Sequence, residues 1–246
     1  MQLIRSLLTW LYLAILRHTQ RNGQGKEQKV TILFSDLQDY SIACEYLPPL
    51  KVMSIINQYV TVMNKLVNQY HGHVIEFMGD GILAVFGAPH YRTDHAEQAL
   101  RCAIAMQYQL QQLNQEWRRI GLTQYWRGRC EESMRARIGI HCGTVVIGHL
   151  GNSARRKYAV VGNVVNVAAR LEALNKELRT DILLSAETCG QLPEPMAREL
   201  TDLGEFKVKG REIPIRVYTG PKAIPTQRPA DYEQIPLRYA GLEASV

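Results

Sequence analysis

The chain has 246 residues, 46% of them apolar and 21% charged, the balance of an ordinary globular protein rather than a disordered or fibrous one. Lys and Arg number 29 against 23 Asp and Glu, and the resulting net charge of +6 suits anionic partners. No run of five or more basic residues marks a nucleic-acid tract, so no nucleic-acid partner is expected. Cys44, Cys102, Cys130, Cys142 and Cys189 are odd in number and show no C-x-x-C spacing, which argues against a disulfide framework or zinc site and for reduced core thiols in a cytoplasmic protein.

The first element is LIRSLLTWLYLAIL (3–16), apolar nearly all round. As a helix it would be roughly 21 Å long, short of the ~30 Å hydrocarbon core of a bilayer. It also lacks a small-residue cleavage site. Membrane-surface contact through 3–16, or pairing with its copy in a dimer, fits better than spanning. This defines an N-terminal helix over 1–17, followed by a polar linker over 18–28 (HTQRNGQGKEQ from His18).

A strand is predicted over 29–37 (KVTILFSDL), then a helix over 49–70 that opens on Pro and repeats apolar residues at helical spacing. HVIEFMGDGILAVFG (73–87) reads as a hairpin turning at Met78-Gly79-Asp80-Gly81. Strict alternation puts Val74, Glu76 and Met78 on one face and Ile75 and Phe77 on the other. Both strands are mostly apolar, so the hairpin is expected to be largely buried, and its two acids to need partners. A second long helix spans 94–117, with Asp94 as N-cap. Strands follow at 135–143 and 143–150, and NSARRKYAVVG returns beside them. A helix covers 163–177. TDILLS, ELTDLGEFKV and IPIRVYTG supply late strands, and 221–246, with four prolines after Gly220, reads as a tail.

The order β-α-β-β-α-β over 29–143 gives the fold class: α+β, a ferredoxin-like core with an antiparallel sheet and two long helices on one face. Residues 144–220 are additions to that core within one domain, 29–220.

In such a sheet the first strand neighbours the hairpin, so Asp36 and Asp80 converge although 44 positions apart in sequence. Two hard oxygen ligands with open positions suit Mg²⁺ or Mn²⁺ shared with a nucleoside triphosphate, although Asp-Gly is also a plain turn signal. Gly79 and Gly81 permit the tight turn. In FSDLQDYS, backbone N–H groups between Leu37 and Ser41, around Tyr40, could hold phosphate oxygens. Asn166 and Arg170 in NVVNVAARLE are four apart and share a helix face, either a solvated face or a ribose-and-phosphate clamp. Lys209 in FKVKGRE and Arg137 in RARIGIHCG are phosphate ligands or ordinary surface residues. His141 reads as a satisfied core histidine.

Together VTILFSDLQDYS, HVIEFMGDGILAVFG, MRARIGIHCGTVVIGHLG, KYAVVGNVVNVAARLE and LGEFKVKG, in this order, resemble the class III nucleotidyl cyclases over roughly 29–220. The resemblance implies a homodimer with two shared active sites and two divalent cations, Mg²⁺ or Mn²⁺, in each. Carried over by position, Asp36 and Asp80 are the metal-binding acids and Leu37 offers a carbonyl. Asn166 orients the ribose, and Arg170 is the transition-state arginine. Lys209 and Arg137 bind triphosphate, with Gly79 and Tyr40 beside the substrate. The acids come from one chain, and Asn166, Arg170 and Lys209 from the other. The implied reaction turns a nucleoside triphosphate into its 3′,5′-cyclic form plus pyrophosphate.

Two positions in that family read the base, and here they are Glu76 and Ala159. An ionised Glu accepts only, which matches the N1–H and 2-amino donors of guanine and leaves adenine N1 facing a carboxylate. Ala159 offers no side-chain hydrogen bond to any base. GTP is therefore the expected substrate. Adenylate or mixed specificity, and a pyrimidine cyclase, are the alternatives, with an inactive dimerisation or nucleotide-sensing module behind them.

Overall fold

The computed structural model describes residues 25–125, 128, 133–151, 156–207 and 213–220. The N-terminal segment 3–16, Lys209, Cys130 and the tail 221–246 lie outside the described residues.

Strand β1 (Gly25–Leu37) leads into a short helix α1 (Tyr40–Tyr46) and the long helix α2 (Pro49–Gln69). Strands β2 (Gly72–Met78) and β3 (Gly81–Phe86) form the hairpin, followed by helix α3 (His95–Arg119) and a single 3₁₀ turn at Leu122–Tyr125. Strand β4 (Ala136–Gly151), strand β5 (Arg156–Val161) and helix α4 (Asn163–Leu178) come next. The rest is β6 (Ile182–Ser185), α5 (Ala186–Cys189), α6 (Glu194–Arg198), β7 (Thr201–Phe206) and β8 (Ile215–Thr219).

One sheet runs β2-β3-β1-β4-β6-β8-β7, with β5 paired to β4. Every pairing is antiparallel except β4 with β6. The sheet is buried on both faces at its centre, which is why β3 is apolar at every position after Gly81. Ile82, Ala84 and Phe86 face α2 and α3, packing with Ile55, Tyr59, Leu66, Leu100, Met106 and Trp117. Leu83 and Val85 face the other way, with Val145, Ile147, Val164 and Ala168. The two long helices thus share one face, as the βαββαβ order predicts, and α4 covers the opposite face.

Several local readings change. Gly143 does not divide two strands; β4 runs through it as one 16-residue strand. That length gives Gly25 to Gln28 partners, from Gly25 opposite Gly148 to Gln28 opposite Val145, so these four residues belong to β1 rather than to a linker. Asp94 stands at the N-cap of α3, but its carboxylate accepts from the side chains of Arg92 (2.9 and 2.8 Å) and Gln98 (3.0 Å) instead of a backbone N–H. The hairpin is only half buried: β3 is covered, while Glu76, Phe77 and Met78 of β2 are exposed. A register shift between Val74 and Glu76 sets Val74 opposite Ala84 and Glu76 opposite Leu83. A bulge at Ile75 therefore moves Glu76 off the face it would share with Val74 under strict alternation.

His141 is a core histidine, its Nδ1 2.7 Å from Ser185 Oγ. The described cysteines, Cys44, Cys102, Cys142 and Cys189, are free thiols. No helix among the described residues is long and apolar enough to cross a membrane.

Candidate active site

The site starts from register. Ser35 of β1 pairs with Ile82 of β3, and Asp36 pairs with Arg137 of β4. The turn before β3 therefore delivers Asp80 to the end of β1, where Asp80 Oδ2 accepts from the Leu37 backbone N–H at 3.2 Å. Gly79 makes this turn possible; it has φ +67°, a conformation that side-chain-bearing residues rarely adopt.

Asp36 and Asp80 are close enough to perturb each other. Burial, then the charge of Asp36, pushes the Asp80 carboxyl up to about 6. Two carboxylates with open sides and mutual repulsion fit a divalent cation, which would relieve that repulsion. No group of three or more His, Cys, Asp or Glu converges among the described residues, so the protein's share of such a site is two carboxylates plus backbone, with positions left for substrate oxygens. Burial also raises the hydroxyl of Tyr40, which bonds Cys44 one turn later and feels the charge of Asp80.

Arg137 is already engaged. Its guanidinium donates to Asp36 Oδ2 at 2.7 Å, and its Nε lies 2.9 Å from Glu172 Oε1. The pull of the neighbouring carboxylates explains why this arginine is not a free surface residue. Burial pushes the Glu172 carboxyl up to about 7, and the Arg137 charge beside it works the other way. Glu172 reaches β4 because Gly139 has no side chain: a Cβ there would lie 2.1 Å from Ala168 O and 2.3 Å from Glu172 N. Asn175 ties the same helix down, donating to Ile138 O at 3.0 Å.

Asn166 and Arg170 occupy another face of α4. Asn166 is exposed and Arg170 half-buried, and neither has a hydrogen bond or ion pair among the described residues. Within one chain they are not joined to Asp36 and Asp80. Glu76 is exposed, and its carboxylate pairs with Lys157 Nζ at 2.5 Å. At that exposure the pair contributes only about 0–1 kcal/mol. Glu76 therefore needs no buried partner, contrary to the expectation from its apolar neighbours. Ala159 lies two residues beyond Lys157 on β5, opposite Gly148, so Lys157 and Ala159 share a face.

Two residues with a place in this geometry escape a reading by motif alone. Lys157 stands in the quoted KYAVVG stretch, and its alternation with Ala159 was the available signal. Glu172 lies one turn after Ala168 and beside Leu171, a carboxylate inside the buried stripe of α4.

The sequence matches the adenylate and guanylate cyclase catalytic domain family over residues 23–219. It is 35% identical over 191 residues to adenylate cyclase 1 of Rhizobium meliloti, covering 78% of this chain and 27% of the relative. It is 33% identical over 202 residues to an adenylate cyclase of Anabaena cylindrica, covering 80% of this chain and 37% of the relative. The chain thus spans about a quarter to a third of these curated relatives. Among solved structures, the guanylyl cyclase Cya2 superposes with a TM-score of 0.69 at 32% identity, covering 80% of this chain and 93% of that one.

Proposed function

Because this chain belongs to the adenylate and guanylate cyclase catalytic domain family, we propose that it is a divalent-metal-dependent homodimeric cyclase that prefers GTP, forming cGMP and pyrophosphate. The observation that carries the reaction class is the convergence of Asp36 and Asp80 at the end of β1, where burial and mutual repulsion leave a demand for a cation. Asp36 and Asp80 would hold Mg²⁺ or Mn²⁺, which when bound supplies Lewis-acid activation of the ribose hydroxyl and charge neutralisation on the phosphates.

The chain's own groups do the rest. Arg137 stands beside the carboxylates to take triphosphate oxygens. Asn166 and Arg170 make no hydrogen bond or ion pair with Asp36 or Asp80 of their own chain among the described residues, which supports a site completed by a second copy. There Asn166 orients the ribose and Arg170 offsets charge building on the phosphates during in-line displacement. Lys209 serves the same phosphates.

Glu76 supports the choice of GTP. Its carboxylate has about four lone-pair positions, so Lys157 can hold one side while guanine N1–H and the 2-amino group donate to the rest. The second reading is ATP, favoured by the names of the two relatives above, while Ala159 gives a side-chain partner to neither guanine O6 nor the adenine amino group. The test is to incubate the protein with each of the four nucleoside triphosphates and Mn²⁺ or Mg²⁺, then identify products by mass. Faster cGMP than cAMP formation is expected. Equal rates, or a preference for cAMP or cUMP, overturn the base choice; no cyclic product at all overturns the enzyme reading.

A further inference from the structure

We propose that Glu172 is a positioning residue for Arg137, the fixed anchor on which the guanidinium pivots between Asp36 and the substrate triphosphate. This rests on the cyclase reading above, which makes Arg137 a phosphate ligand.

Three charged side chains form a row, Asp36–Arg137–Glu172, with contacts of 2.7 and 2.9 Å. Exposure falls along it, from 30% at the Asp36 side chain to 16% at Arg137 and 10% at Glu172. The Asp36 end is open to exchange, whereas the Glu172 end is enclosed between α4 and β4 and braced by the close approach at Gly139. The contact at the enclosed end is incomplete. Arg137 Nε and Glu172 Oε1 are 2.9 Å apart, yet the N–H does not aim at the oxygen, and both buried atoms lack a directed hydrogen bond. A guanidinium that releases Asp36 for a phosphate can turn its Nε into line with Glu172. The move gains one charge-assisted hydrogen bond as it gives up another, and it frees Asp36 for a cation. Without Glu172 the guanidinium would remain on its one carboxylate partner, Asp36. Helix α4 thus holds Arg170 on its own surface and Arg137 through Glu172.

The test is a double-mutant cycle of E172Q and R137A, read as kcat, KM and equilibrium binding of 3′-deoxy-GTP, which has no attacking hydroxyl. E172Q should raise KM and the 3′-deoxy-GTP dissociation constant about tenfold, the lower end for residues that orient a ligand-binding group, while changing kcat little. R137A should raise both, and the double variant should match R137A alone, because both changes act through one guanidinium. A purely structural Glu172 would lower the melting temperature with KM unchanged, and that outcome overturns the proposal. So does a KM effect of E172Q that persists in the R137A background. Should E172Q fail to fold, Glu172→Asp, which keeps the charge but withdraws it by one methylene, carries the same cycle. A wild-type chain that makes no cyclic nucleotide overturns the cyclase reading and this inference together. An active wild type with E172Q at wild-type KM overturns the inference alone.

Discussion

Around Asp36 and Asp80 each charged group meets a partner from the same chain: Asp80 the Leu37 N–H, Asp36 the Arg137 guanidinium, Arg137 the Glu172 carboxylate. On α4, less than two turns before Glu172, Asn166 and Arg170 meet none among the described residues. At the sheet end Asp36, Arg137 and Glu172 lie in contact within one chain. That Arg170 pairs with no carboxylate among the described residues is what the proposed reading requires, with its anion bound by a second copy.

That contrast can be broken most forcefully by removing one residue from each side. Asp36→Ala and Arg170→Ala should each reduce cyclic nucleotide formation by about 10²–10³-fold or more, the scale of losing a group that stabilises transition-state charge. Mixing the two inactive proteins should then restore about a quarter of the wild-type rate, since half of randomly formed dimers are mixed and each retains one intact site of two. No recovery on mixing would place both groups in one chain's site.

Glu76→Lys should weaken GTP use by about tenfold or more, because a cation then faces the guanine donors and Lys157 repels it. The ratio of kcat/KM for GTP and ATP measures this, and an unchanged ratio would remove Glu76 from base reading.

The smallest effect concerns stability and sharpens the account of the sheet end. The folded-state value for Asp80, about 6, lies above that of an unfolded aspartate, so the native chain holds this proton more tightly than the unfolded one. The sign follows: as pH rises from about 4 through 6 the native state loses stability at this site. In EDTA, Asp80→Asn should therefore raise the melting temperature above pH 6 and leave it nearly unchanged at pH 4. The gain is about 1 kcal/mol, discounted from the full shift because the carboxyl is partly exposed. A variant less stable than wild type at pH 7 would mean that the bond to Leu37 outweighs the repulsion.

Much of this was legible without coordinates. The period of apolar residues announced α2, because a helix that covers a sheet must present one stripe to it, and α3 and α4 were also read as helices. The βαββαβ order placed Asp36 and Asp80 together, because adjacent strands bring their ends together whatever their separation in sequence. Asn166 and Arg170 shared a helix face by spacing alone. The misreadings were local. Apolar composition in β2 suggested burial, but an edge strand is covered only where something packs on it. Alternation misplaced Glu76 because one extra residue in a bulge reverses every face after it.

By itself, then, the order of residues determined the long helices, the hairpin and the neighbourhood of Asp36 and Asp80, since these depend on periodicity and connectivity. Tertiary structure alone decided the partners. Lys157 for Glu76, and Glu172 behind Arg137, come from strands and a helix distant in sequence, and the second contact exists only because Gly139 lets α4 lie directly on β4. Contacts of that kind depend on the distance between packed elements, which no local pattern encodes.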